Sequence, residues 1–216
     1  MPLDFTLTDE QQAIRELAHD FAANEIRPVA AHFDETEEFP YEVVKRAHKL
    51  GLSPAAFLPE EYGGQNLDFL TEPDSGSDAL AMKTRATRVS DGYVLNGTKQ
   101  FCTNGGIADY HVIYANTDPS KGPAGIASFL VPKGTPGLKM GRKEKKLGVR
   151  ASHTAQVILD DCHTPLDHRL GGEPDGDNAG PGALGALMTL EATRPGVAAG
   201  ALGIARAAYE FALEYA

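Results

Sequence analysis

Tryptophan is absent from this 216-residue chain, cysteine occurs only twice, and acidic residues outnumber basic ones. The two cysteines, Cys102 and Cys162, are far apart and form no Cys-x-x-Cys pair. This argues against a disulfide framework and against a thiolate zinc site. With 20 basic and 30 acidic residues the formal charge is −10. Such a balance disfavours nucleic-acid binding, because phosphates need clustered lysine and arginine.

Long apolar runs are also missing, and no stretch approaches the roughly 20 residues that a membrane-spanning helix requires. The first six residues contain neither the basic nor the apolar region of a secretory signal peptide. We therefore expect a cytoplasmic protein with no membrane span.

The first third of the chain has a helical pattern. Thr8 and Gln11 have the spacing of a capping box, and apolar residues then recur every three to four positions. Pro28 is predicted to end this helix. Pro40 is predicted to open the next one, and Gly51 to close it in the left-handed conformation.

Between Ala81 and Leu170 the apolar pattern changes to a period of two, which is typical of strands. Asp91-Gly92 and Asn96-Gly97 are predicted to be turns between strands. Further β-rich runs lie at 111–115, 126–131 and 155–159. Because no helical run separates these strands, an antiparallel barrel or sandwich is favoured over a parallel sheet.

A linker rich in Gly, Asp and Pro, 171–182, leads to an Ala- and Leu-rich helical region in which Pro195 is tolerated as a first-turn residue or a kink. The predicted fold class is therefore α+β, in three parts. These are an incomplete N-terminal helical domain (1–70), a middle antiparallel β-barrel or sandwich domain (71–182), and the truncated first helix of a C-terminal helical bundle (183–216).

Common nucleotide and hydrolase motifs do not fit this sequence. Gly92 to Gly97 has the spacing of a P-loop, but Thr98-Lys99 reverses the required order and the surrounding pattern is that of a hairpin. No Gly-x-Gly-x-x-Gly follows a strand, no Gly-x-Ser-x-Gly occurs, and the histidines lack ligand spacing. No metal site is predicted.

Four other segments stand out in order along the chain: Leu70 to Asp78, Asn96 to Gly106, Leu147 to Ser152, and Thr193 to Pro195. Within the first, Thr71 to Ser77 combines a proline-set turn, a glycine and short hydroxyl side chains. Such a loop can present N–H and O–H donors to an anion or a heterocycle. It can equally be an ordinary loop that enters a strand, and the residues alone leave both interpretations open.

In order and spacing these segments resemble the acyl-CoA dehydrogenase family of flavoproteins, and Glu61-Tyr62-Gly63-Gly64 matches a family pattern near the end of its first helical region. The resemblance covers nearly the whole chain and implies the same three-part fold. It implies FAD as cofactor and oxidation of an acyl-CoA to trans-2-enoyl-CoA in fatty-acid β-oxidation. It also implies transfer of electrons to an electron-transferring flavoprotein, and a homodimer or homotetramer.

The resemblance implies FAD contacts at Leu70, Thr71, Ser77, Phe101, Cys102 and Thr103. Thr71 would bond the flavin pyrimidine ring, and Ser77 would face the phosphates of FAD or the bound acyl-CoA. Phe101 and Thr103 flank Cys102, so in a strand they share one face. Phe101 would lie against the flavin where many members have Trp, and Thr103 would donate near N5. Without the resemblance, Phe101 would be interpreted as core.

The resemblance implies substrate-side contacts at Ser77, Glu191, Thr193 and Arg194, although a helix-interface role fits Arg194 equally well. The resemblance implies that the catalytic glutamate usually lies in a segment of the C-terminal bundle that this chain does not contain, and that some family members carry it instead at the position of Thr193. Threonine cannot act as that base, so we predict no base within 1–216 and an inactive chain as it stands. Helices that family members carry between the positions of Phe69 and Thr71 are missing here. A non-catalytic subunit or binding module of the same fold, and a flavin oxidase or monooxygenase relative, are the alternatives.

Arg142 to Lys146, together with Arg150, forms the one basic cluster of the chain. It is either a solvated turn or a surface that steers the anionic CoA moiety towards its site. The residues alone leave both possibilities open.

Overall fold

A computed structural model describes residues 6–52, 68–69, 71–173 and 182–216. The α-helices are α1 (Asp9–Phe21), α2 (Arg27–Thr36), α3 (Tyr41–Lys49) and α4 (Gly182–Tyr215). The strands are β1 (Asp68–Phe69), β2 (Arg85–Val89), β3 (Gly92–Thr103), β4 (Tyr110–Asn116), β5 (Ile126–Pro132), β6 (Leu138–Lys143), β7 (Thr154–Pro165) and β8 (Arg169–Leu170).

The N-terminal helices follow the predicted signals except at Pro28. The Thr8 hydroxyl accepts a hydrogen bond from Gln11 N (3.2 Å), and Thr8 N donates to Gln11 Oε1 (3.0 Å), which completes the capping box. The expectation that Pro28 ends the helix is wrong. The chain passes through one π-helical turn, Ala22–Ile26, and continues into α2 with the proline in its first turn. A proline is tolerated there because the first N–H groups of a helix need no intrahelical partner.

The next helix begins and ends as predicted. Pro40 is the N-cap of α3, and Gly51 follows it with φ of 72°, the left-handed conformation that glycine adopts without steric cost.

The middle of the chain forms one sheet with strand order β6-β7-β3-β2-β4-β5-β8, and β1 pairs with β4. Most pairs are antiparallel, as predicted, but β1–β4 and β2–β4 are parallel, so the sheet is mixed. The predicted turn at Asn96-Gly97 is wrong, because β3 runs through it and pairs with β7 along its length. The glycine there marks only a shift in register between Leu95 and Gly97.

The sheet curves around its main apolar core, and a second, smaller cluster contains Met82, Tyr114 and Ile126. Buried side chains of β2, β3, β4, β5 and β7 form one cluster. The rings of Tyr93 on β3 and Phe129 on β5 lie 5.0 Å apart, although these strands are not neighbours in the sheet. The expected barrel-like or sandwich-like β layer between two helical regions is therefore confirmed.

The last helix, α4, contacts β5 and the short helical turn Pro119–Gly125. From Thr193 onward its side chains are exposed. Within the described part of the chain, no helix is long and apolar enough to cross a membrane.

Candidate cofactor-binding site

Residues 71–78, here called the motif loop, are closed by short hydrogen bonds of their own. Glu72 N donates to Ser75 O (2.8 Å), and Ser75 N donates back to Glu72 O (3.2 Å). The Ser75 hydroxyl is buried and donates to Asp78 O (2.6 Å). The proline at position 73 presets the turn between the paired residues. The loop is therefore an ordered structure and not a loose connection.

A buried ion pair lies beneath the motif loop. Lys99 Nζ donates to Glu72 Oε1 at 2.7 Å, and the side chains of Lys99 and Glu72 are only 0% and 4% exposed. Main-chain N–H groups also reach the carboxylate, from Lys83 (2.6 Å) and from Thr84 (3.1 Å). Burying either charge alone would be costly, so each residue requires the other.

The hydrogen bonds keep Glu72 ionised. Burial is the largest single influence and by itself would raise the pKa of Glu72. The hydrogen bonds from Lys99, Thr84 and Lys83, together with the positive charge of Lys99, outweigh it, so the pKa of Glu72 is lowered. The carboxylate is therefore a fixed negative charge at neutral pH.

The motif loop is attached to β3 beside a bulge. Gln100 N donates to Thr71 O at 2.8 Å. On β3, Lys99 pairs with Val157 and Cys102 with Ala155, so β3 carries one more residue than β7 over this interval. Phe101 lies in the bulge with φ of 57°. A left-handed conformation is rare for an aromatic residue, and bulges often turn a side chain towards a functional site.

The predicted alternation around Cys102 is present. Phe101 is 63% exposed and Thr103 is also exposed, whereas Cys102 is 3% exposed and belongs to the core. Burial raises the pKa of the Cys102 thiol to about 12. Only main-chain atoms of Cys102 can therefore contact a ligand on the outer face. The interpretation of Phe101 as a core residue is excluded.

The remaining candidate residues lie on two elements. Ser77 is exposed on the motif loop, next to Gly76, which has open space around it. Glu191, Thr193 and Arg194 are exposed on α4, outside the unit formed by the motif loop and β3. Leu70 and the segment 61–64 lie outside the described residues. The structure therefore brings Thr71 next to the bulge that holds Phe101, and it keeps Ser77 on the same loop.

The basic cluster holds α2 against the sheet. Lys143 Nζ donates to Glu37 O (3.2 Å) and pairs with its carboxylate. Arg150 donates to Asp34 twice, from N to Oδ1 (2.9 Å) and from Nε to Oδ2 (3.1 Å). Lys143 and Arg150 are thus engaged with α2, while the side chain of Arg142 remains 75% exposed, and both interpretations of the cluster stay open.

Sequence reasoning missed Glu72 and Lys99. The sequence did contain a signal for Lys99. It lies four residues after the apolar Leu95, and an even separation in a strand predicts that both side chains face inward. A lysine at such a position needs a buried acidic partner. Its partner lies 27 residues earlier in the chain, and only the folded structure identifies it.

A helical region, a curved mixed sheet and a following helix make up the three-part architecture that the resemblance implies. The family assignment rests on sequence models: residues 8–73 match that of the acyl-CoA dehydrogenase N-terminal domain, and residues 69–162 that of the middle domain. The chain belongs to the acyl-CoA dehydrogenase family.

Individual relatives agree with this assignment. The chain is 35% identical to a short-chain specific acyl-CoA dehydrogenase of Clostridium acetobutylicum, over 99% of the chain and 70% of the relative. Among solved structures, butyryl-CoA dehydrogenase of Megasphaera elsdenii superposes with a TM-score of 0.87 at 33% identity, over 99% of the chain and 70% of that protein. A structure from work on the electron-transferring flavoprotein of Acidaminococcus fermentans superposes with a TM-score of 0.83 at 32% identity, over 94% of this chain and 67% of that chain.

The alignment with the Clostridium relative spans 271 positions, against the 216 residues of this chain. The relative therefore carries internal residues that this chain lacks, in agreement with the shortening expected between Phe69 and Thr71. The two family-model matches meet at residues 69–73, where that shortening was expected.

The protein is thus an oxidoreductase of a family whose cofactor is FAD, and its comparisons support acyl-CoA dehydrogenation. The described residues fit that cofactor. An exposed aromatic ring, Phe101, and an exposed hydroxyl group, Thr103, lie two residues apart on β3, and Gln100 N beside Phe101 donates to Thr71 O. A planar heterocycle with polar edges needs an apolar surface together with a few placed donors.

Proposed function

We propose that the motif loop and the bulge of β3 hold the flavin ring of FAD, and that they serve an acyl-CoA dehydrogenase reaction that converts a short-chain acyl-CoA to its trans-2-enoyl-CoA, with a base that lies outside residues 1–216. The observation that carries the proposal is the hydrogen bond from Gln100 N to Thr71 O at 2.8 Å. It sets the motif loop beside Phe101, so that loop and strand form one surface. The names of the relatives support a short-chain substrate.

In this proposal each residue has a distinct task. Phe101 packs its exposed ring against the flavin, and the Thr103 hydroxyl donates at the edge where charge develops during reduction. Thr71 bonds the pyrimidine edge, while Leu70 and Cys102 contribute main-chain atoms. FAD, when bound, supplies the acceptor for the hydride that leaves Cβ of the substrate.

On the substrate side, we assign Ser77, Glu191, Thr193 and Arg194 to contacts with the acyl-CoA. A guanidinium such as that of Arg194 suits the phosphates of CoA, since it donates hydrogen bonds in a planar fork. We assign no base for the α-proton to residues 1–216, because a threonine hydroxyl does not take up a proton at neutral pH. The 216-residue chain is therefore expected to bind FAD and to turn over little or no substrate.

We also propose an electron-transferring flavoprotein as acceptor and a homo-oligomer as the working form. The structural neighbour from the Acidaminococcus electron-transferring flavoprotein work supports the choice of acceptor. The exposed apolar side chains of α4 support an assembly of several copies.

Titration of the purified protein with FAD tests the proposal. We expect flavin absorbance bands that remain with the protein on gel filtration, and quenching of flavin fluorescence on binding. Phe101→Leu should weaken FAD binding about two- to tenfold, since aromatic stacking contributes roughly 0.5–1.5 kcal/mol beyond burial. Tyr209→Leu is the matched control, because Tyr209 is 65% exposed on α4. It should leave the Kd unchanged. Failure of the wild-type protein to retain flavin in excess FAD would contradict the proposal.

A further inference from the structure

The buried pair Glu72–Lys99 uses both carboxylate oxygens. Glu72 Oε2 accepts from Lys83 N at 2.6 Å. Glu72 Oε1 accepts from Thr84 N at 3.1 Å and from Lys99 Nζ at 2.7 Å. One side chain therefore ties together three parts of the chain: the motif loop, the segment that leads into β2, and the middle of β3.

The pair lies directly behind the proposed flavin surface. Thr71 precedes Glu72, Gln100 follows Lys99, and Gln100 N donates to Thr71 O. A shift of either charged residue would therefore move the contact that aligns the loop with β3. Phe101, the next residue along, lies in the bulge that opens between Lys99 and Cys102.

We propose that Glu72 and Lys99 are positioning residues for FAD, which fix Thr71 and Phe101 in register without touching the cofactor themselves. The inference rests on the proposed function. Its physical basis is the directionality of hydrogen bonds. A buried carboxylate with three hydrogen bonds holds its donors at fixed angles, whereas apolar contacts allow the loop and the strand to slide past each other.

Single substitutions disturb this network in a defined way. Glu72→Gln keeps the shape of the side chain but places an amide N–H against one of the donors, either Lys83 N–H or the Lys99 ammonium. Lys99→Met leaves a buried carboxylate without its counter-ion. Both variants are expected to lower the stability of the apoprotein as well as FAD affinity, so neither alone separates positioning from folding.

The double variant Glu72→Gln/Lys99→Met separates the two effects. It buries no unpaired charge, so the thermal midpoint of its apoprotein should recover towards that of the wild type. If the pair positions the loop, the double variant should still bind FAD about tenfold more weakly, because its directional contacts are lost. The absorbance spectrum of its bound flavin should also differ from that of the wild type.

Ile113→Val is the control for general loss of packing. Ile113 is completely buried on β4 and belongs to the core cluster. This substitution should lower the midpoint of the apoprotein and leave the Kd for FAD within about twofold, because it keeps the main-chain pairing of Ile113 with Phe69 and all the hydrogen bonds of Glu72.

Fluorescence titration of the full chain with FAD, together with the thermal midpoints, distinguishes a positioning role of the pair from a role in folding alone. A double variant with a recovered midpoint and wild-type Kd and spectrum would overturn the positioning role and leave the proposed function intact. A double variant that does not fold under conditions where Ile113→Val folds would assign the pair to folding and would also overturn it. A wild-type protein that does not bind FAD would overturn the proposed function itself.

Discussion

Phe101 shows at the residue scale how a side chain is turned out of a sheet. Its left-handed φ of 57° occurs where β3 carries one residue more than β7. The extra residue lets the ring leave the core face while Cys102 remains buried. A bulge is a property of two paired strands, so neither strand reveals it alone.

A glycine at the back of the site is also required by its surroundings. A Cβ on Gly97 would lie 2.8 Å from the Cα of Thr84, whose N–H donates to Glu72. We expect Gly97→Ala to lower the free energy of unfolding by about 1–3 kcal/mol, the usual cost of overpacking. Denaturant titration measures this loss. Gly148→Ala is the control, since Gly148 has open space around it, and equal stability of the two variants would refute the prediction.

The two cysteine thiols should be inert in the native protein. Cys102 and Cys162 are 3% and 0% exposed, and burial raises their pKa values to about 12 and about 11. Because the thiolate is the reactive form, an aromatic disulfide reagent at pH 8 should label neither thiol until the protein unfolds. Ser77→Cys, at an exposed position, should add one thiol that reacts at once. Rapid labelling of the wild-type protein would show that the core is not closed.

At the scale of the element, the sequence predicted correctly those helix ends that depend on neighbouring residues alone. The capping box at Thr8 and the left-handed Gly51 depend on residues within a few positions, and both are present. Asn96-Gly97 has strong turn chemistry, yet β7 pairs across it and β3 continues. Tertiary pairing therefore overrides turn propensity. The Glu72–Lys99 pair escaped prediction for the same reason, since its partners meet only in the folded sheet.

The docking of α2 on the sheet should depend on pH through Asp34. The main-chain hydrogen bond from Arg150, followed by that from its side chain, lowers the pKa of Asp34 below its usual value. A carboxyl group whose pKa is lower in the folded state stabilises the protein above its unfolded-state pKa. This contribution is lost as the pH falls through the folded-state pKa. Asp34→Asn should therefore unfold at a lower temperature than wild type at pH 7, and the difference should shrink towards pH 3.

Glu35→Gln controls for this experiment, since it removes the same charge from an exposed neighbour. In thermal melts between pH 7 and pH 3, the midpoint of Glu35→Gln should change with pH in parallel with that of the wild type. An Asp34→Asn curve that also runs parallel to the wild type would mean that the Asp34–Arg150 contact does not stabilise the docked helix.

At the scale of the whole molecule, burial among the described residues is concentrated in the sheet. Leu95 on β3 and Val157 on β7 are completely buried, whereas α1 buries only Phe21 and α4 exposes its side chains from Thr193 onward. Amide hydrogen exchange should therefore be slowest in β3 and β7. Since local opening costs little where few apolar contacts exist, amides of α1 and α4 should exchange about 10³-fold faster or more.

Hydrogen exchange measured at several protein concentrations tests whether α4 is exposed in the single chain or covered by a second copy. The exposed apolar residues of α4 include Leu202, Ile204 and Phe211. If α4 exchanges fast at every protein concentration, the helix stands uncovered in solution. If a second copy covers these residues, α4 should become protected as the concentration rises, because association is a mass-action equilibrium. Protection of α4 equal to that of β3 at the lowest concentration would contradict the exposure of α4, since other residues of the same chain would then have to cover the helix.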